Sequence, residues 1–137
     1  MGQRRVELIP APNFRDYWFL ILPGLEEIEP INGGDWTQID IYNALDSSRA
    51  LLFLVSDNGE YAGFVIARPE ENRALHLWAV HSEIRDLLTA GRESLLAHAK
   101  AMGAEKLTFS SSRAGFLKSY KKHGFQLDMA YFSLDLR

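Results

Sequence analysis

Three short apolar segments, separated by turn-forming residues, constrain the fold more than any other part of this 137-residue chain. ALLFLVS at 50–56 and YAGFVIA at 61–67 flank Asn58-Gly59, a pair that tolerates the positive φ angles of a tight β-hairpin. The polar run EENR predicts a second turn, and ALHLWAV at 74–80 predicts a third strand. Strands joined by turns this short are antiparallel neighbours, so the sequence predicts a three-stranded meander.

The segment before the meander predicts one strand and two helices. RVELI at 5–9 alternates as an edge strand does. Asn13 can cap a helix that begins at Phe14 and ends before Pro23, where the backbone loses a donor. A second helix is expected to begin after Asp35, which would be its cap.

After the meander, the spacing of apolar residues changes to that of a helix, which ends at Gly103 as a natural C-terminal cap. KLTFSSS at 106–112 predicts a strand, AGFLKSYKKHG at 114–124 a short helix, and 125–136 strand again. In the last segment the alternation slips by one residue near Tyr131-Phe132. That slip predicts a bulge or a break into two strands.

The predicted element order is β-α-α-β-β-β-α-β-α-β, in a single domain that covers residues 1–137. An antiparallel meander followed by a β-α-β crossover gives a mixed sheet covered by helices, so the fold class is α/β (α+β).

Composition excludes several classes of function. The chain has no cysteine, which excludes disulfides, thiolate metal sites and a cysteine nucleophile. Its four histidines form no metal-binding pattern, and its net charge of −3 argues against general nucleic-acid binding. No apolar run reaches the roughly 18 residues that a membrane span needs. We therefore expect a cytoplasmic protein without a metal, a nucleic-acid partner or a membrane partner.

The element order resembles that of the GCN5-related N-acetyltransferase (GNAT) superfamily, and local sequences agree with its motifs. NGEYAGFVIA is similar to the superfamily's second and third strands, and SSSRAGFLKSYKKHGF to its late motif. LHLWAVHSEIR resembles the arylalkylamine N-acetyltransferase members, which carry a histidine on this strand. The loop that follows also resembles divergent acetyltransferase-like proteins encoded by tailed phages.

The resemblance implies transfer of an acetyl group from acetyl-CoA to an amine, which attacks the thioester directly. Tyr120, four residues before Gly124, would be the general acid that protonates the departing thiolate. His76 would assist deprotonation of the amine, since an imidazole can accept a proton near neutral pH. The alternatives are a tyrosine and a histidine that only pack in the core.

The same resemblance implies that acetyl-CoA lies between strands 74–80 and 106–112, where strand backbone would hold the pantetheine. The implied cofactor-binding residues are Ala79, Val80, Arg85, Ala90, Gly91, Arg92, Ser112 and Arg113.

The coenzyme loop leaves two helix starts open, because Leu88 stands where the superfamily has a glycine. If the helix begins at Ser82, the amides of residues 85–91 are bonded inside it. If it begins near Thr89 or Gly91, free N–H groups at its start can bind the pyrophosphate.

The acceptor is expected to be a small-molecule or peptide amine. The alternative function is a catalytically inactive GNAT-like binding or assembly module, such as a phage could encode. The oligomeric state stays open, with a homodimer as one option.

Overall fold

The computed structural model describes residues 4–31, 36–81, 92–109, 126–128 and 131–136. These residues form seven strands and three α-helices. The strands are β1 (Arg4–Ile9), β2 (Leu51–Asp57), β3 (Glu60–Glu70), β4 (Ala74–His81), β5 (Lys106–Phe109), β6 (Gln126–Asp128) and β7 (Tyr131–Asp135). The helices are α1 (Phe14–Ile28), α2 (Gln38–Asp46) and α3 (Arg92–Ala101).

The seven strands form one mixed sheet in the order β1-β2-β3-β4-β5-β7-β6. Strands β1 to β4 are antiparallel neighbours, and β5 then pairs parallel to β4. β6 and β7 pair antiparallel to each other, so the phase slip in the last segment is a break into two strands. The predicted mixed α/β sheet with its central meander is confirmed.

The sheet has an apolar core on each face. The core cluster on the α3 face unites apolar residues of α3 with Phe53, Val65, Leu75 and Leu107. The core cluster on the α1/α2 face unites both of those helices with Leu52, Phe64, Ile66 and Ala79. Because both faces are covered, strands β2 to β4 are apolar on both sides, which explains their continuous apolar runs.

Helix α1 corrects two expectations. It does not end before Pro23 but runs through that residue to Ile28. Pro23 and Phe19 are both exposed, so the carbonyl of Phe19, which loses its helical donor, can bond water instead. The buried face of the helix continues past the proline, and that burial keeps the helix intact. Asn13 makes no side-chain cap bond, because it belongs to a short 3₁₀ turn.

Helix α2 begins later than expected, with Thr37 and not Asp35 as its N-cap. The Thr37 hydroxyl accepts a hydrogen bond from the Asp40 amide at 3.2 Å, and the Asp40 carboxylate accepts one from the Thr37 amide at 2.8 Å. Two orphan donors are thereby bonded reciprocally, an arrangement known as a capping box. A third donor, the amide of Gln38, bonds Glu29 at 2.7 Å.

Helix α3 ends as expected. Its last residue is Ala101, and Gly103 then adopts a left-handed φ of 80°. The predicted helix starts at Ser82 or near Thr89, and the predicted helix at 114–124, lie outside the described residues. Among the helices that are described, none is long and apolar enough to span a membrane.

Candidate functional site

A β-bulge interrupts the pairing of β4 with β3. Ile66 pairs with Ala79 and Ala67 with Leu77, so Trp78 is an extra residue on β4. A bulge of this kind bends its strand and leaves the extra residue outside the regular ladder. β4 therefore changes direction at Trp78.

The described part of the parallel pairing joins Ala74–Leu77 of β4 to Lys106–Phe109 of β5. Its last pair is Leu77 with Phe109, where the described part of β5 ends. β4 continues to His81 and stays paired with β3 there, Val80 opposite Val65. Within the described residues, the edge of β4 from Trp78 to His81 has no strand partner on its β5 side.

The bulge also changes which side chains share a face of the sheet. Alternation along the strand predicts that Ala79 lies with Leu77 and that Val80 lies with His76. This prediction is wrong. Ala79 is part of the core on the α1/α2 face, against which Trp78 packs, and Val80 packs against the core on the α3 face. One extra residue reverses the phase of everything that follows it.

His76 is held inside the sheet. Its side chain is 2% exposed, and its Nδ1 lies 2.7 Å from the hydroxyl oxygen of Thr108 on β5. Its role as a base stays a prediction. An imidazole this deeply buried would exchange a proton through a neighbouring hydroxyl rather than by direct contact with a substrate.

Arg68 of β3 and Trp78 of β4 form a contact on the same face. The Arg68 guanidinium carbon lies 4.4 Å from the centre of the Trp78 ring, a cation–π geometry. Arg68 Nη2 lies 3.5 Å from a carboxylate oxygen of Glu70. Both Arg68 Nε and Trp78 Nε1 are buried, and in the described part of the chain neither has a hydrogen-bond partner.

His81 fixes the far end of β4 against α1. Its Nε2 lies 3.0 Å from a carboxylate oxygen of Glu27, and its ring stacks on that of Phe64 with centres 5.6 Å apart. Gly24 allows this approach, since a β-carbon there would lie 2.8 Å from both Cγ and Nδ1 of His81. The Nδ1 atom of His81 is buried and has no hydrogen-bond partner among the described residues.

A shallow groove runs between α1 and α2. It encloses about 270 Å³ and is lined by Trp18, Leu22, Gln38, Ile39 and Tyr42. Trp18 and Tyr42 meet edge to face, with ring centres 5.0 Å apart. The other early aromatic residues differ in position, since Trp36 is buried in the core and Phe19 is 83% exposed.

The structure describes four of the residues expected at the site. His76 and Ala79 are buried, Val80 is half-buried, and Arg92 is the first residue of α3. Tyr120, Arg85, Ala90, Gly91, Ser112 and Arg113 lie outside the described residues, so their predicted roles stay predictions.

Sequence reasoning missed the Trp78 bulge, the Arg68–Trp78 contact and the Glu27–His81 pair. The bulge leaves no trace in the sequence, because both faces of the sheet are apolar and a reversed phase still places apolar residues in a core. Glu27 and His81 are 54 residues apart, and only the packing of α1 on the sheet brings them together.

The comparisons with known proteins agree on the fold. No protein-family model and no curated protein sequence matches the chain. Among solved structures, the ribosomal-protein-S18-alanine N-acetyltransferase from Escherichia coli matches with a TM-score of 0.65 at 17% identity, over 98% of this chain and 94% of that one. An acetyltransferase of the GNAT family from Staphylococcus aureus Mu50 matches with a TM-score of 0.61 at 13% identity, over 98% and 99%.

A third match contains the coenzyme. This protein from Bacillus anthracis, described as a streptothricin acetyltransferase, was solved in complex with acetyl coenzyme A. It matches with a TM-score of 0.50 at 13% identity, over 64% of this chain and 62% of that one. Identities this low carry information about the fold alone. The order of strands and these matches together lead to one conclusion: the chain has the fold of the GNAT acetyltransferases.

Proposed function

We propose that this protein is an N-acetyltransferase that moves the acetyl group of acetyl-CoA to an amine. The observations that carry the proposal are the likeness of the fold to solved acetyltransferases and the bulge at Trp78, which bends β4 and can turn its edge toward another extended chain. An extended chain with amide groups, such as the pantetheine arm, can bond such an edge as a strand would. Ala79 and Val80 lie on this stretch of β4, and their backbone groups would bond the pantetheine arm.

The reaction would proceed by direct attack. The neutral amine nitrogen adds to the thioester carbonyl, a C–N bond forms, and the C–S bond breaks as the intermediate collapses. His76 would take the proton of the substrate ammonium through the Thr108 hydroxyl, 2.7 Å from its Nδ1. Tyr120 would give its proton to the departing thiolate. Arg85, Ala90, Gly91, Arg92, Ser112 and Arg113 would bind the phosphates and the nucleotide.

Coenzyme binding tests this function directly. At about 100 times its dissociation constant, acetyl-CoA should stabilise the fold by about 2.7 kcal/mol, because it binds only the native state. Isothermal titration calorimetry and thermal unfolding should both report binding of acetyl-CoA and of CoA, and acetate should serve as the negative control. Binding without turnover over a panel of amines would leave a coenzyme-binding protein and not an enzyme.

One observation favours the second candidate, an inactive binding or assembly module. Leu88 replaces the glycine that would let a phosphate approach the backbone, as in the divergent phage-encoded proteins that this loop resembles. The same titration separates the two functions, since millimolar acetyl-CoA should leave the unfolding temperature of such a module unchanged. We also propose a cytoplasmic location, which fractionation tests. The oligomeric state stays open, with a homodimer as one option that light scattering tests.

A further inference from the structure

Three side chains with polar groups lie together on the α1/α2 face of the sheet, next to the bulge. Arg68 and His76 are register partners on β3 and β4, so their side chains project from the same face as close neighbours. Trp78 follows two residues after His76 and carries the Arg68 guanidinium over its ring. The cluster therefore lies at the bulge, beside the last described pair of β4 with β5.

Two hydrogen-bond donors in this cluster are buried and unused. Arg68 Nε and Trp78 Nε1 are shielded from solvent, yet neither has a hydrogen-bond acceptor among the residues that the structure describes. Buried donors in folded proteins almost always have a partner, and a lone orphan is costly. Two such donors, on side chains that contact each other, therefore indicate an acceptor that the described residues do not supply.

Glu70 does not fill that position. Its carboxylate oxygen lies 3.5 Å from Arg68 Nη2, at the limit of a hydrogen bond, and makes no bond to Nε. Nε and Nη2 form the edge of a guanidinium that takes both oxygens of a carboxylate. That edge is held only weakly in this structure. The Arg68 side chain is also 35% exposed, which gives an entering group a route from solvent.

We infer that Arg68 and Trp78 form a carboxylate-binding subsite beside His76, so that the acceptor amine is an amino acid or a peptide that carries a free carboxylate. The guanidinium edge would take both carboxylate oxygens, and the indole N–H would donate to one of them. A planar group with two acceptor oxygens and one negative charge matches this donor set. That the bound molecule is the acceptor rests on the proposed function. Binding of a carboxylate at the subsite does not depend on that function.

Indole N–H signals in ¹H–¹⁵N nuclear magnetic resonance spectra provide a test that needs no catalysis. The chain has three tryptophans, so three indole signals are expected, and Trp78→Phe identifies one of them. N-acetylglycine serves as the carboxylate probe and N-acetylglycinamide as its uncharged match. The Trp78 signal should move saturably with the acid and not with the amide, while the Trp18 and Trp36 signals stay in place.

Variants of the arginine sharpen the result. Arg68→Met should raise the dissociation constant of N-acetylglycine at least tenfold. Arg68→Lys should also weaken binding, since a lysine keeps the charge but lacks the paired N–H donors of a guanidinium edge. Glu70→Gln is the matched control and should bind as tightly as the parent or more tightly. If Arg68→Met fails to fold, the lysine variant and the probe pair still decide the question.

The subsite is wrong if neither probe moves the Trp78 signal, or if both move it equally, as they would where the orphans bond only water. Calorimetry with acetyl-CoA separates this outcome from failure of the enzyme proposal. Carboxylate binding without coenzyme binding would keep the subsite and remove the acetyltransferase. Coenzyme binding without a response of the Trp78 signal to N-acetylglycine would keep the acetyltransferase and remove the subsite.

Discussion

Gly24 determines how closely α1 can approach β4. A β-carbon at this position would lie 2.8 Å from ring atoms of both His81 and Phe64. Neither ring can withdraw easily, because Phe64 is fully buried and His81 stacks on it. This position therefore requires glycine because a β-carbon has no room there, and not because of backbone freedom. In a helix interior, glycine lowers intrinsic helix stability by about 1 kcal/mol relative to alanine.

Gly24→Ala should for this reason lower the free energy of unfolding by about 1–2 kcal/mol, since overpacking outweighs the gain in helix propensity. Urea unfolding measures the change. A His81→Ala background removes one of the two rings, so Gly24→Ala should there lower the free energy of unfolding by less. An alanine that stabilises the parent protein would show that α1 moves aside without difficulty.

Tyr120 carries the most specific chemical prediction at this scale. If it is the general acid, Tyr120→Phe should reduce turnover at least about a hundredfold, because phenylalanine cannot protonate the thiolate. Acetyl-CoA affinity measured by calorimetry should not change. Tyr17→Phe, on helix α1, is the matched control and should keep full turnover. Equal rates for parent and Tyr120→Phe enzyme would remove this tyrosine from the mechanism.

Among the elements, α3 protects the outer edge of the sheet. The Ser94 hydroxyl both accepts a hydrogen bond from the Val6 amide and donates one to its carbonyl, each at 2.9 Å. His98, one turn further along, places Nε2 2.7 Å from the same carbonyl and so donates to it. Free peptide groups on an edge strand otherwise invite pairing with other chains, and here one helix occupies them.

Ser94→Ala should leave the Val6 amide without its partner and lower the free energy of unfolding by about 1–2 kcal/mol. Hydrogen exchange at that amide should become faster. Ser47→Ala is the matched control, because that exposed hydroxyl bonds only groups at the end of α2 and its neighbour Arg49. We expect the control to change stability by less than about 0.5 kcal/mol. Comparable losses in the two variants would argue against edge protection.

The sequence predicted elements well where local chemistry determines them. The Asn58-Gly59 turn, the strands beside it and the cap at Gly103 follow from backbone preferences of single residues, and all three are present. The continuation of α1 through Pro23 is different, because burial of the helix face outweighs a local penalty. The start of α2 is also a local feature, but both Asp35 and Thr37 are residue types that cap helices. Only Thr37 has an acidic residue, Asp40, three positions later.

For the whole molecule, the element order was predictable and the site was only partly so. The mixed sheet follows from the meander and the crossover, which short connections and chain handedness restrict to few arrangements. The cluster around Arg68 and Trp78 depends on register between β3 and β4 and on a bulge, and the sequence records neither. Contacts of this kind join residues that are distant in the chain, so they emerge only when the sheet assembles.

The bulge at Trp78 separates two stretches of β4 and yields a prediction for the assembled protein. Backbone amides of Leu75–Leu77 lie in the stretch where β5 already pairs, whereas those of Trp78–His81 that point away from β3 have no β5 partner within the described residues. If the pantetheine arm bonds β4 beyond the bulge, as proposed, acetyl-CoA should slow hydrogen exchange at the second group and leave the first group unchanged as an internal control. Nuclear magnetic resonance measures the hydrogen-exchange rate of each of these amides, with and without saturating coenzyme, and so compares the two groups. If binding protects both groups equally, the coenzyme stabilises the fold as a whole without occupying this edge; if it protects neither, the coenzyme binds elsewhere.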